Sequence, residues 1–222
     1  EDVPGAVTDT NAVNLTRIFK IIPEKDKVFP EKEIFLIRNV QVRNMAFAMK
    51  NYTSDRPDIP KGGIDWNNLD VNDINVTGKD LRFKAGVMSA RNGHVSFRER
   101  TGLTCNDISA KDIKVGNGKT IIKNLTYEDG MSSLDLPIFM MSYTCPEDFS
   151  DFINKVKLDG EVVSSTVDFR TISYFAPQLK GNCLRLSVEG KLSGEVCDFD
   201  VSGVKVASEA GGFSGTIEGN MS

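Results

Sequence analysis

With 222 residues, 40% of them hydrophobic and 26% charged, the chain can bury a core as one large β domain or two small ones, which argues against disorder. Its formal net charge of −4, with lysines and arginines scattered among the acids, gives no basic footprint for a phosphate backbone, and nucleic acid is set aside as a partner. The apolar runs at residues 34–37 and 136–141, with Pro137 inside the second, fall far short of the roughly 20 residues that cross a bilayer as a helix.

In chain order, residues 1–30 mix Thr, Asn, Pro and charges around an apolar stretch at 15–22, and read as a loosely structured leading segment. Residues 33–52 read as two strands split near Arg43-Asn44, with Phe35 and Ile37 alternating before the break and Met45, Phe47 and Met49 after it. Such alternation buries one face only. A loop at 54–63 follows, where Pro57 and Pro60 forbid ladder donation.

From Ile64 short strands recur between turns rich in Asn, Gly and Asp. Ile74 and Val76, then Leu81 and Phe83, precede the turn signal Asn92-Gly93, which places His94 in a turn ahead of Val95 and Phe97. Ile113 and Val115 lead into Gly116-Asn117-Gly118, and residues 121–127 into Asp129-Gly130. Residues 69–76 with 79–83 echo residues 103–110 with 111–115, the trace that stacking one supersecondary unit on the next would leave. Residues 31–143 are therefore expected to form a β-meander.

Helical signals concentrate at 144–180. Thr144 and Glu147 have capping-box spacing, and Phe149, Phe152, Ile153 and Val156 then make one apolar stripe. A second short helix is expected from Asp168 to about Phe175, stopped by Pro177. Glycine-punctuated strands resume at Leu184, and residues 181–222 read as the start of further β repeats. The chain opens at Glu1 without a charged-then-apolar leader and ends while that pattern is still running, so it is expected to be a piece of something longer.

Catalytic chemistry finds little to work with. His94 is the single imidazole, and neither a GxSxG elbow, a GxGxxG turn after a strand nor a GxxxxGK[ST] loop occurs. Cys105, Cys145, Cys183 and Cys197 form no CxxC pair, so no metal and no cofactor are expected. The four thiols fit either two disulfides, one of them bridging Cys183 and Cys197 across a hairpin, or small residues packed in or near cores. Paired carboxylates of a glycosidase would meet only in space; Asp70, Asp73, Asp80, Asp107, Asp112 and Asp135 read as strand-end and turn residues. The sequons at Asn14, Asn51, Asn75, Asn124 and Asn220 are what so many Asn, Ser and Thr produce by chance.

Four stretches in order, residues 65–76 (Asp-Trp-Asn-Asn-Leu-Asp-Val-Asn-Asp-Ile-Asn-Val), 97–103 (Phe-Arg-Glu-Arg-Thr-Gly-Leu), 148–152 (Asp-Phe-Ser-Asp-Phe) and 173–181 (Ser-Tyr-Phe-Ala-Pro-Gln-Leu-Lys-Gly), resemble successive landmarks of the TamB/AsmA-like bacterial envelope proteins. Residues 186–194 (Leu-Ser-Val-Glu-Gly-Lys-Leu-Ser-Gly) are similar to that family's LxGxLxG stretches. The resemblance covers the chain from about Ile34 onward.

It implies a mainly β fold, an elongated, curved antiparallel sheet forming an open apolar trough (β-taco or repeating β-groove type) with one or two short helices. It implies a periplasmic protein held in the inner membrane by a segment absent here, shielding phospholipid acyl chains on their way to the outer membrane and meeting an outer-membrane assembly-type partner through other regions. No enzyme activity is implied. Candidate trough residues are Leu81, Phe83, Val95, Phe97, Ile113, Val115, Leu125, Tyr127, Leu184, Leu186 and Val188, positions of a kind that more often form plain core, since core and trough share the same alternation. Two other readings stand beside the conduit: a module for assembling outer-membrane proteins that binds its clients by β-augmentation, and a carbohydrate-active enzyme using two carboxylates.

Overall fold

The computed structural model describes residues 31–50, 63–65, 68–145, 148, 151–195, 197–208 and 210–221. The expectations for residues 1–30, and for the loop at 54–63 except Gly63, lie outside the described residues. Ten strands, β1 (Glu33–Lys50), β2 (Asn68–Lys84), β3 (Val87–Glu99), β4 (Thr104–Gly116), β5 (Lys119–Glu128), β6 (Ser133–Ser142), β7 (Lys157–Asp168), β8 (Arg185–Glu195), β9 (Asp198–Ser208) and β10 (Ser214–Met221), form one antiparallel sheet in chain order. Because β1 and β10 do not pair, the sheet stays open with two free edges.

Local chemistry sets the hairpins. Ala85-Gly86 and Asn117-Gly118 have positive φ at both turn positions (50° and 75°, 53° and 70°), the mirror-image turn whose twist suits two antiparallel strands. Asn117-Gly118 follows from the sequence signal, whereas an alanine in the left-handed region at 85 is not foreseeable from composition.

Several expectations are corrected. Residues 33–50 are one strand, not two: β1 passes through a register shift at Val42/Met45, where Asn44 takes φ 52° and gives its N–H to Asn75 Oδ1 at 3.2 Å. The Asn92-Gly93 signal lies inside β3, so His94 is a strand residue, exposed, with Nδ1 3.3 Å from Asp107 Oδ1. All six aspartates assigned to strand ends and turns lie within β2, β4 or β6, and Asp73 and Asp80 (φ 52° and 50°) use the tolerance of Asp for left-handed backbone.

Of the helix expected up to Val156, the described residues show a helical turn at Phe152–Lys155; residues 146, 147, 149 and 150 lie outside the described residues. Asp148, one residue past the expected capping glutamate, reaches back to accept the N–H groups of Thr144 (2.7 Å) and Cys145 (3.0 Å), which holds its carboxyl below the usual range. The second helix is Phe169–Ile172, capped by Asp168, and Pro177 opens a 3-10 turn at Pro177–Leu179. The twelve-residue strand β7 lies between the two helical turns. All four cysteines are free, and Cys183 and Cys197 are exposed, so no bridge spans that hairpin.

A line of bends crosses the sheet. Asn92 (φ 47°) falls between the Arg91–Asp112 and Gly93–Ala110 pairs, opposite Lys111, and Asn124 (φ 50°) falls opposite Pro137, between Lys123–Ile138 and Leu125–Leu136. Register shifts at Lys79/Arg82 beside Asp80, at Val162/Ser165 beside Ser164 and at Glu189/Lys191 beside Gly190 continue the line through β2, β7 and β8. Left-handed residues and bulges re-aim the side chains that follow them.

Candidate functional site

Cross-strand partners share a face. On one side of the bends the partners Phe35–Phe83–Met88–Val115 run in register across β1 to β4, and Ala90–Ile113–Ile122–Phe139 across β3 to β6. The opposite face carries Arg91–Asp112–Lys123 and Ser89–Lys114. One face is therefore the more apolar, the other carrying these charges beside Leu36, Ile121 and Met140, and among the described residues no second layer covers the apolar one: Phe35 is 38% exposed, Ile37 46% and Met88 40%. Only nine apolar side chains are buried among the described residues, too few for the closed core that a chain of this length supports.

The bends turn part of this face into a concavity of about 220 Å³ spanning β1 to β5. Its floor is made of small residues, Gly78, Ala90, Gly93 and Ala110; a side chain added at Gly93 would meet Ile113 Cδ1 at 3.1 Å. Its walls come from both sides of the bend line: Leu81, Ile113 and Ile122 from one, Val76, Val95, Ile108 and Leu125 from the other. In β3 the lining residues switch from odd (Val95, Gly93) to even (Ala90) across Asn92, and in β5 from Leu125 to Ile122 across Asn124. Without that switch, the two halves of each strand would present opposite faces.

Of the sequence-derived trough residues, Leu81, Val95, Ile113 and Leu125 line this concavity. Phe83 and Val115 lie on the same face one pair farther out, with the Phe83 ring stacked on Phe35 at 6.1 Å, a contact worth about 0.5–1.5 kcal/mol. Phe97 pairs with Cys105, and Tyr127 pairs with Ile108 and donates its hydroxyl to Asp129 Oδ2 at 3.0 Å. Leu186 and Val188 are on β8, and Leu184 precedes that strand, so these three stand apart from the concavity. Val188 instead borders a larger hydroxyl-rich depression of about 620 Å³, lined by Ser165, Ser187 and Thr216 and by the Glu189–Lys205 pair at 3.4 Å. Val40, Val76, Ala90, Ile108, Ala110 and Ile122 were missed; the signal available for the last five was an Asn or Asp inside an apolar alternation, beyond which the parity reverses.

Beyond β5 the bend fills. Leu136 and Phe139, from either side of Pro137, both reach over Gly160: a Cβ there would lie 3.7 Å from Leu136 Cδ2 and 3.4 Å from Phe139 Cδ2. Leu136, Val162 and Val204 are buried.

One end of the sheet is anchored by a polar hub. Asp129 Oδ1 accepts the N–H groups of Met131 (2.8 Å) and Ser132 (2.6 Å), and Oδ2 accepts the Thr171 hydroxyl at 2.5 Å as well as Tyr127. Ser132 Oγ bonds Thr171 Oγ1 at 2.9 Å and accepts the Asp168 N–H at 2.9 Å. Asp168, wholly buried, grips Arg170 through Nε (2.8 Å) and Nη2 (2.5 Å), and these bonds hold its carboxyl below the usual range. The hub fixes the β7–β8 connection across the sheet end, where Tyr174 O accepts the Ile64 N–H at 2.8 Å. Beside it, burial and then the nearby carboxylates Asp107 and Asp129 push the Cys105 thiol up to about 11, so it stays protonated and unreactive. Burial, followed by Asp129, likewise raises the Tyr127 phenol far above its ordinary value.

Among the described residues no group of three or more His, Cys, Asp or Glu is placed to hold a metal ion. Among the described residues, fold and site together define a single-layer, open antiparallel sheet that offers an apolar concavity. The chain matches no family model, no curated protein and no solved structure, and the likeness to TamB/AsmA-like proteins rests on the residues quoted for it.

Proposed function

We propose that this chain is a non-enzymatic segment of an inner-membrane-anchored periplasmic bridge of the TamB/AsmA-like kind, whose bent sheet forms an open apolar trough for phospholipid acyl chains travelling to the outer membrane. The observation that carries this reading is the apolar concavity at the bend line, walled by residues from both sides of the bend and covered by none of the described residues. Exposing an acyl chain of about 16 carbons to water costs on the order of 12 kcal/mol at roughly 0.8 kcal/mol per methylene, so crossing an aqueous gap unassisted is prohibitive. An apolar surface removes much of that cost and requires neither a catalytic group nor a nucleotide. Soluble proteins rarely leave a large apolar patch exposed without using it. Native mass spectrometry of the purified chain tests the reading: phospholipid adducts are expected, and Ile113→Glu is expected to abolish them while leaving the circular dichroism of the sheet intact. Adduct-free wild-type protein in the presence of phospholipid would refute it.

A second reading, assembly of outer-membrane proteins by β-augmentation, is favoured by one feature. Strand β1, an edge among the described residues, is eighteen residues long and exposes Ile34, Phe35, Ile37, Met45 and Phe47, an apolar edge to which another strand can be added. Photocrosslinkers placed in β1 that capture unfolded client polypeptide and never lipid would favour it over the conduit.

A further inference from the structure

We infer that β1 is a dimer edge: two copies of this chain pair their β1 strands antiparallel about Gln41, continuing one sheet whose more apolar face stays on one side.

β1 is an edge among the described residues, and its apolar positions form a palindrome. Cross-strand partners share a face. Ile37 lies opposite Leu81, Val40 opposite Gly78 and Val42 opposite Val76, and those three partners line the concavity. Phe35, opposite Phe83, stands two residues before Ile37. Met45 lies opposite Ile74, two residues before Val76, and Phe47 follows Met45 by two. All six therefore stand on the face of the concavity, and Phe35, Ile37, Met45 and Phe47 are exposed. The two-residue period breaks twice, at Arg38, opposite the left-handed Asp80 (φ 50°), and at Asn44 (φ 52°). The face thus reads 35, 37, 40, 42, 45, 47, a spacing unchanged when the strand is reversed about residue 41.

In an antiparallel pair centred on Gln41, Phe35 meets Phe47 of the second copy, Ile37 meets Met45 and Val40 meets Val42. The bends coincide too, because Arg38 meets Asn44 and both strands change face together. A slip of two residues breaks the match: Ile37 would meet Arg43, or Asn39 would meet Met45, and the bends would fall out of step. In the matched register Arg38 and Arg43 face Asn44 and Asn39, whereas an in-register parallel pair would set each arginine against its own copy, and like charges directly opposite destabilise. The edge is also long enough. Eighteen residues at about 3.4 Å each, in a sheet about 10 Å thick, offer about 600 Å² per copy and roughly 1,200 Å² in all, the lower bound for a specific interface. Pairing β1 with the eight-residue β10 would cover less than half of that edge and leave a further edge open at each end, whereas the two-fold pair closes.

Sedimentation equilibrium of the full chain over a concentration series tests the pairing. Wild type is expected to approach twice its mass of 24.4 kDa, with a dissociation constant on the order of micromolar, the weak end for an interface of this size. Phe35→Glu with Phe47→Glu sets acid against acid across the axis and is expected to weaken the dimer by about tenfold or more. Phe35→Glu with Phe47→Lys sets acid against base and is expected to bind about five- to tenfold more tightly than the double-glutamate variant. Positions 35 and 47 lie about 40 Å apart within one copy, so that recovery is intermolecular. Should these variants fail to fold, a p-benzoylphenylalanine photocrosslinker in place of exposed Gln41 reports the same geometry, with its cross-link to an isotope-labelled second copy expected within residues 39–43. A chain that stays monomeric throughout overturns the dimer. Equal affinity of the two folded double variants, or a cross-link from position 41 to β10, overturns the β1–β1 pairing. Neither outcome bears on acyl binding at the bend, which the lipid measurements test separately.

Discussion

Replacing Asp129 by alanine should cost the protein about 3–6 kcal/mol, because this carboxylate collects four donors and two of them have nowhere else to turn. Ser132 and Thr171 are 3% and 5% exposed, so water does not reach these two donors. Met131 and Tyr127 are only half-buried, so their groups recover part of the loss. The Ser132 N–H and the Thr171 hydroxyl, at 2.6 and 2.5 Å from the carboxylate, do not, since Thr171 is the acceptor in its bond from Ser132 Oγ. Hydrogen bonds to a charged group contribute about 1.5–3 kcal/mol each, and two of them give the stated range. For a chain of this size that lowers Tm by about 6–24 °C, at about 2–4 °C per kcal/mol.

Asp129→Asn keeps an oxygen for the two amides and presents its NH₂ to hydroxyls able to rotate and accept, so its cost should be about 1–2 kcal/mol. Urea unfolding followed by far-UV circular dichroism measures both. An alanine variant within about 1 kcal/mol of wild type, or an asparagine variant as damaged as alanine, would refute the hub as the anchor of the β7–β8 connection.

Three further outcomes are expected. Gly190→Ala places a Cβ 2.6 Å from Val204 Cα at φ +151°, and should destabilise by about 2–4 kcal/mol in the same urea assay, whereas Gly211→Ala, at φ +75° with open space around it, should lose only about 1 kcal/mol. At pH 8 a thiol reagent should label exposed Cys183 and Cys197 rapidly and Cys105 only at the rate of unfolding; fast labelling of all three would contradict the burial that raises the Cys105 pKa. Asp168 and Asp148 are depressed in the folded state, so their contribution is complete above the unfolded carboxylate value near about 3.9 and is lost as pH falls through their lower folded values. Acid titration of stability should therefore be steep below about pH 4, and less so in Asp168→Asn; an unchanged acid limb in that variant would remove Asp168 from the explanation.

Much of the sheet was legible because alternation and turn chemistry are local. Val95 with Phe97 and Ile113 with Val115 announced strands, and Asn117-Gly118 announced a hairpin that the structure contains. The bend line was not legible for the same local reason: Asn92-Gly93 has one appearance whether it closes a hairpin or bends a strand, and only the register with Lys111 decides. Misplacing that residue displaced His94 into a turn, and missing the matching bend at Asn124 hid Ile122, which joins Leu125 only because β5 changes face there. The helix expected before Val156 followed an apolar stripe, and its described part is the helical turn Phe152–Lys155, which leads straight into β7.

The most direct test of an open, acyl-binding bend is paramagnetic broadening of backbone amides by a phospholipid carrying a nitroxide on its acyl chain. Broadening centred on Ala90, Ile113 and Ile122, with Leu186 on β8 unaffected, is the expected pattern. Amides at the bend that stay sharp while those of β1 or β10 broaden would contradict it and place the lipid, or any other apolar partner, at an edge of the sheet instead.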